Sequence, residues 1–341
     1  MCSVSSARAI TFSKKTHEML LRVKKRREGK GTRSGTTGKY LYKNKFHVST
    51  VYRNCTLKMI GIGPKFLSIT ALLFHILIIA GQAMSILAGK KVLVSGAGRG
   101  LGRAMAQICA KEGAQVAICS RTKEELEETI ASFDSPTSLN MDMYVVDVKD
   151  ESQVEEMVAS IVDKWGDIDI LINNAGSGQA GKGPTYELKP SDLKELLELN
   201  VVAVHSMTSA VLRHTMLKNK SGRIINVSSR AGKIGIPNMS FYVASKFALE
   251  GYSATLSEEL KDHNIIVNTI SPGMVNTRSF PKAPGKIGVR TAESVRDGLL
   301  LLLQTDLTGH YLHVDELDQV REKGFDDSLA LKPINEVPFS V

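Results

Sequence analysis

From about position 87 onward, short apolar runs alternate with stretches in which apolar residues recur every three to four positions. Runs at 91–94, 115–119, 143–148, 168–172, 223–227, 265–270 and 310–314 are rich in Val, Ile and Leu and predict strands. Between them, Leu101, Met105 and Ile108 share one helical face, as do Val154, Met157, Val158, Ile161, Val162 and Trp165. Further helices are predicted at about 191–217, from Tyr242 to about 263, and at about 292–304. Strands alternating with helices predict an α/β fold: a doubly wound parallel β-sheet with helices on both faces. Such sheets bind their ligands beyond the carboxyl ends of the strands, and the motifs below all fall at those ends.

The first strand runs directly into Ser95-Gly96-Ala97-Gly98-Arg99-Gly100-Leu101-Gly102 and then into the first helix. Glycine permits a tight turn and lets backbone approach a pyrophosphate, while the helix N-terminus offers free N–H groups. A strand before and a helix after separate this pattern from a plain Gly-rich hairpin. The second strand ends at Ser120-Arg121, where an NAD site expects an acid for the ribose 2′-hydroxyl; acids begin only at Glu124. Arg121 and Arg99 could together grip a 2′-phosphate, the alternative being two solvated surface charges. The expected cofactor is therefore NADPH/NADP+ rather than NADH.

Ser229 lies thirteen residues before Tyr242, and Lys246 lies four after it. A free phenol titrates near pH ~10. A cation on the same helical face favours the phenolate and lowers that value. Ser229, delivered by the preceding strand, would polarise a substrate carbonyl. The thirteen-residue spacing selects Ser229 over its neighbour Ser228. The Tyr–Lys spacing alone is common, and its place downstream of the glycine turn gives it weight.

With these motifs in this order, residues 87–331 resemble the short-chain dehydrogenase/reductase superfamily, in its branch of single domains of roughly 250 residues. The resemblance is carried by Ser95-Gly96-x-x-x-Gly100-x-Gly102 (the family usually opens with Thr), Asp147 after the third strand and Asn173-Asn174-Ala175-Gly176 after the fourth. Asn200 in the long central helix, Ser229, Tyr242-x-x-x-Lys246 and Pro272-Gly273-Met274-Val275-Asn276-Thr277 complete it. The stretch 115–126 is similar to NADPH-using members such as tropinone reductases. Val314-Asp315-Glu316 departs from the Asp-Gly-Gly that relatives often have there.

The resemblance implies a Rossmann-like fold and an NADP(H)-dependent oxidoreductase that moves hydride between NADPH and a ketone or aldehyde, or back from an alcohol. It implies catalytic roles for Asn200, Ser229, Tyr242 and Lys246. Cofactor contacts are implied for Ser95, Gly96, Arg99, Gly100, Leu101, Gly102, Ser120 and Arg121, and for Asp147 and Val148 at the adenine. Asn173, Ala175 and Gly176 would line the cleft, and Pro272, Gly273, Val275 and Thr277 would border the nicotinamide. Tyr242 and Lys246 would also meet the cofactor, Lys246 at the nicotinamide ribose. Asn200 would anchor a water between Lys246 and solvent. The plainer readings are Asp147 as a turn cap and Asn200 bonded within its own helix. A catalytically idle NADP-binding sensor or scaffold is the alternative function, and an epimerase or dehydratase of the extended branch is a third. The full set Asn200, Ser229, Tyr242 and Lys246 argues against the idle reading, and the glycine spacing against the third.

Composition changes the picture chiefly at the N-terminus. Residues 1–58 hold 15 Lys and Arg against Glu18 and Glu28, a net +13; the whole chain is +9, so residues 59–341 carry −4. The catalytic stretch gives no reason to expect a nucleic-acid partner. Poor in apolar residues, 1–58 is expected to be disordered: a transit peptide, a cytosolic basic arm or a gene-model artefact, with Met59 as the alternative start. Phe66 to Gly89 contains no charged residue. A hydrophobic segment at 59–88 is thus expected to be a membrane anchor or signal, ahead of a single catalytic domain at 89–341. Membrane association through 66–89 predicts an endoplasmic reticulum membrane protein, with mitochondrion or plastid as alternatives, and a soluble amphipathic helix is the plainer reading. The cysteines and the 8 His show no metal-ligand spacing, so no metal is expected. The substrate, a small-molecule carbonyl or alcohol, lipophilic if the anchor holds, is expected between 178–183, 234–241 and a lid at 278–290. Homo-oligomerisation is left open.

Overall fold

The computed structural model describes residues 85–133, 141–181, 183–278, 280–283 and 286–336. All belong to the second of the two units into which the chain divides, Ile69–Val341. Six strands form where the apolar runs predict them: β1 (Lys91–Ser95), β2 (Gln115–Ser120), β4 (Ile170–Asn173), β5 (Gly222–Val227), β6 (Ile265–Ser271) and β7 (His310–His313). The third strand, β3, is Met141–Val145, two residues ahead of the predicted run. Val146 and Val148 are apolar because they pack into the core beyond the strand's end, not because they pair. A final strand, β8 (Leu331–Pro333), is too short to show a period.

The sheet order is β3-β2-β1-β4-β5-β6-β7-β8, parallel throughout except for the antiparallel β7–β8 edge. Helices α1 (Gly100–Lys111), α2 (Lys123–Ala131), α3 (Glu151–Trp165), α5 (Ser240–Glu259), α6 (Arg296–Gln304) and α7 (Val314–Glu322) connect the strands. The long helix α4 runs Pro190–Leu197, Ala203–Val211 and Leu217–Asn219, with π turns at Glu198–Val202 and Leu212–Met216. α7 escaped prediction because only Val314 and Leu317 of its nine residues are buried.

Successive strand residues face opposite sides. Val92, Val94, Val116 and Ile118 pack with Met105 of α1 and Leu299 of α6. Leu93, Ala117 and Leu171 pack with Val158 of α3 and Met207 of α4 on the other face. Both faces are covered, which is why the strands read as continuous apolar runs. The winding reverses between β1 and β4, so the loops after them part and open a crevice at their carboxyl ends.

The expected membrane anchor is corrected at its described end. Residues 85–89 form a turn of the same unit as the sheet: Leu87 is buried in the core, and its N–H donates to the Glu112 carbonyl at 2.9 Å. The end of the apolar stretch therefore serves the fold. Among the described residues no helix is long and apolar enough to cross a membrane. The membrane and endoplasmic reticulum placement does not stand. Residues 1–84 lie outside the described residues.

Candidate active site

Two side chains latch the crevice shut at its base. The Ser95 hydroxyl accepts the N–H groups of Asn174 (3.0 Å) and Ala175 (3.1 Å). The Asn174 amide donates back to the Ser95 (3.0 Å) and Gly96 (3.1 Å) carbonyls. Asn174 was not singled out from the sequence, because its neighbours carry the motif equally well. A Cβ on Gly102 would lie 2.3 Å from the Gly96 oxygen and 2.4 Å from the Asn174 amide nitrogen, so only glycine lets turn and helix close this tightly.

The N-terminus of α1 has no side-chain cap and no acid in its first turn. By contrast, Asp150 caps α3 by accepting the Ser152 and Gln153 N–H groups. The α1 terminus thus keeps its donors and its dipole for an outside anion and fits a pyrophosphate. Across from it, Thr277 comes within 3.2 Å of where a Gly100 Cβ would sit. Leu101 follows as the second residue of α1.

The arginines expected at a 2′-phosphate flank the end of β2, but neither is free of carboxylates. Arg99 lies 2.5 Å from Glu125, and Arg278 reaches the same oxygen at 3.4 Å. The Arg121 side chain, 65% exposed, lies 3.9 Å from Asp147. Ser120 accepts the Thr122 N–H at 3.3 Å. Asp147 accepts the Lys149 N–H at 3.0 Å, the turn cap of the plainer reading, and Val148 is buried beside it. An anion bound here would exchange with Glu125 for Arg99, a competition the spacing did not reveal.

Asn173 was expected to line the cleft; its side chain is 3% exposed and its amide donates to Thr208 (3.0 Å) and Asn226 (2.9 Å), while the residue borders a small space with Ser95, Val148 and Ala175. Ala175 and Gly176 remain partly accessible. After β6, Pro272 leads into Gly273 at φ 75°, and Val275 bridges to Arg290, closing the base of the 278–290 loop.

On the catalytic side, Ser229 caps the turn Arg230–Gly232 by accepting the Ala231 N–H at 3.1 Å. Its hydroxyl is near enough to the Tyr242 phenol to lower its pKa, whereas the Ser228 hydroxyl is buried near Glu250 without a hydrogen-bond partner among the described residues; position thus separates the two serines. Tyr242 lies in the first turn of α5. Lys246 follows one turn later with Nζ 5.8 Å from the phenol ring centroid, donating to the Val227 carbonyl at 2.9 Å. Asn200 sits in the first π turn of α4. It bonds the Ser177 backbone through both N–H and carbonyl (3.0 Å each) and donates to the Ser245 hydroxyl at 3.0 Å. The π turn aims Asn200 out of its own helix, across to the β4 loop and α5.

Electrostatics run against the simple expectation. Burial pushes the Tyr242 phenol up, outweighing the Ser229 hydroxyl that lowers it. Burial pushes the Lys246 ammonium down to about 8, against the supporting charge of Glu250. Desolvation dominates because both groups are sunk between β5 and α5. Above Tyr242 the surroundings are apolar: Leu196 and Phe241 are buried beside it, and the Phe280 ring lies tilted at 57° with its centroid 5.7 Å away. An open groove of about 560 Å³ runs past Pro237, Val243 and Phe247 on a different face of α5 from the phenol.

A family model for short chain dehydrogenases matches residues 90–286. The 3-oxoacyl-[acyl-carrier-protein] reductase of Thermotoga maritima is 35% identical over 200 residues, which is 59% of this chain and 80% of that protein. The NADPH-dependent pterin aldehyde reductase of Arabidopsis thaliana is 38% identical over 201 residues, 58% of this chain and 80% of its own. Among solved structures, NAD+-bound xylitol dehydrogenase is 30% identical with a TM-score of 0.59, covering 67% of this chain and 98% of that one. ElxO with NADP bound is 30% identical with a TM-score of 0.60, covering 66% and 96%.

Proposed function

The chain belongs to the short-chain dehydrogenase family, and from that premise we propose that it is an NADP(H)-dependent oxidoreductase that reduces a ketone or aldehyde, or oxidises the matching alcohol. The observation that carries the proposal is the placing of the Ser229 hydroxyl beside the Tyr242 phenol, with the Lys246 Nζ 5.8 Å from that ring one turn along. The α1 terminus and the Gly96-to-Gly102 turn would hold the pyrophosphate, Arg99 and Arg121 the 2′-phosphate, and Thr277 the nicotinamide end. NADPH held there would supply hydride to a substrate's carbonyl carbon.

The chain's own groups handle the charge and the proton. As the carbonyl oxygen turns negative, Ser229 donates a hydrogen bond to it. Tyr242 gives its proton to that oxygen and is left as phenolate. Lys246, as ammonium, stabilises that phenolate. A high phenol pKa suits a proton donor that must stay protonated at neutral pH. Asn200 fixes the Ser177 loop against α5 and keeps the two halves in register. Preference for NADP over NAD rests on Arg99 and Arg121, with the NADPH-dependent reductase of Arabidopsis as support. The apolar surroundings of Leu196, Phe241 and Phe280 favour a carbonyl flanked by apolar groups.

The test is Tyr242→Phe, with cofactor binding and turnover measured over a panel of ketones, aldehydes and alcohols. The expected result is intact NADP+ binding with turnover down by about 10²–10⁴. Turnover unchanged in the variant would refute the role of Tyr242. Binding without turnover in the unmodified protein would favour the idle sensor.

A further inference from the structure

Behind Lys246 lies an ionic pair that the proton transfer above does not use. Glu250 is one turn further along α5 and 4% exposed; Lys233, just after the Arg230–Gly232 turn, is 8% exposed. Their Nζ and Oε2 are 3.1 Å apart. Lys233 also donates to the Ile334 carbonyl and sits 4.7 Å from the Tyr311 ring centroid. Glu250 accepts the Thr269 hydroxyl at 3.1 Å through Oε2, while its Oε1 and the nearby Ser228 hydroxyl are buried without a hydrogen-bond partner among the described residues.

Two charges taken out of water are costly, and apolar residues of similar volume often hold a fold as well or better. The position of this pair suggests another use. Residues four apart share a helix face, so the Glu250 carboxylate is directed along the side of α5 that carries Lys246. Lys246 is buried, and among the described residues its ammonium donates to the neutral carbonyl of Val227. The charge of Glu250 is what opposes its loss of a proton on burial.

We propose that Glu250 is a positioning residue for the proton transfer: its carboxylate keeps Lys246 charged, and Lys233 sets how much of that field Lys246 feels. The inference rests on the proposed function only for the use made of Lys246. Every element packed on Glu250 contributes a group that faces it or its partner: Ser228 after β5, Thr269 of β6, Tyr311 of β7, Lys233 after the short turn and Lys246 on its own helix. Arg230 and Glu316 act on Tyr311 one layer further out, and the His313 ring lies 6.4 Å from it.

Opposite substitutions then have opposite effects. Glu250→Gln removes the supporting anion, so Lys246 loses its proton at lower pH. Burial pushes the Glu250 carboxyl up and the Lys233 charge opposes that; in Lys233→Met the Lys246 ammonium is left to hold the carboxylate ionised, and it keeps its own proton to higher pH. A structural role predicts loss of folding or activity in both, with no opposed shift.

The experiment is a pH titration of the Lys246 ε-carbon resonance in full-chain protein labelled at lysine, assigned by its absence in Lys246→Met. It needs neither cofactor nor substrate. The expected midpoint falls by about one pH unit in Glu250→Gln and rises by a similar amount in Lys233→Met, with the double variant between. The basic limb of kcat/KM moves with it. An unmoved midpoint, two shifts of the same sign, or a kcat/KM limb that ignores a shifted midpoint would each overturn the proposal. If Glu250→Gln fails to fold, Lys233→Met and the double variant decide in the same way. Absence of turnover in the unmodified protein would refute the proposed function, while the titration would still decide the link between Glu250 and Lys246.

Discussion

The side-chain oxygen of Gln179 accepts the backbone N–H of Tyr242 at 3.3 Å, and that of Phe241 at 2.9 Å. Helix α5 has no cap from Met239, the residue before it. A loop residue 63 positions upstream of Tyr242 therefore supplies the acceptor that a helix start usually finds next door. The same amide donates to the Gly181 and Asn238 carbonyls, so the loop after β4 is tied to the start of α5.

Gln179→Ala is expected to lower kcat by about tenfold or more through misplacement of the phenol, with NADP+ affinity unchanged. Gln179→Glu keeps an acceptor for both N–H groups and should retain most of the activity. Steady-state kinetics beside cofactor titration separate these outcomes. Equal losses in the two variants would show that the cap does not position Tyr242.

The Ser95 hydroxyl bears on stability. It accepts two N–H groups, from Asn174 and Ala175, at a buried site. Ser95→Ala leaves both without that acceptor and should cost about 1–3 kcal/mol. Ser95→Thr keeps the oxygen and should cost far less. Urea unfolding of the three proteins checks this, and a neutral Ser95→Ala would mean that water replaces the hydroxyl.

How much of this was legible beforehand follows from the kind of signal each feature leaves. The strands and the helices α1, α3, α4 and α5 were legible because burial on two faces writes long apolar runs and clear helical stripes. Ser229, Tyr242 and Lys246 were legible because their spacing follows from one strand end and one helix face. Gln179 and Asn174 left no trace: each acts through hydrogen bonds to backbone from a distant loop, which imposes no period. The competition of Glu125 for Arg99 was hidden for a related reason, since 26 residues separate the two. The direction of the Tyr242 shift was misjudged because spacing reports proximity to Lys246 but not desolvation. β3 was placed late because Val146 and Val148 are apolar for packing, not pairing.

The two described cysteines should be chemically quiet. Burial pushes the Cys109 thiol up to about 12, helped by the charge of Glu112. Burial does the same to Cys119, against a Gly96 backbone hydrogen bond. Thiolate is the reactive form, and at pH ~8 only about one part in 10⁴ would be ionised. Iodoacetamide at that pH should leave the peptides carrying Cys109 and Cys119 unmodified in folded protein and label both after denaturation. Rapid labelling in folded protein would contradict their burial.

Lys246 sets function against stability. Its folded value of about 8 lies below its ordinary 10.5, so between those values the unfolded chain binds more protons than the folded one. Stability attributable to this group therefore rises with pH across that window. Below about pH 8 the full penalty of a buried ammonium applies. Lys246→Met fills the same space without the charge. It should abolish turnover yet melt higher than the unmodified protein at neutral pH, by about 2–4 °C for each kcal/mol relieved. The advantage should shrink toward pH ~10, where the lysine of the unmodified protein is already neutral when folded. Thermal melts of both proteins at neutral and alkaline pH test the sign directly. A difference that does not change with pH would mean that Lys246 is not a desolvated cation in the folded protein.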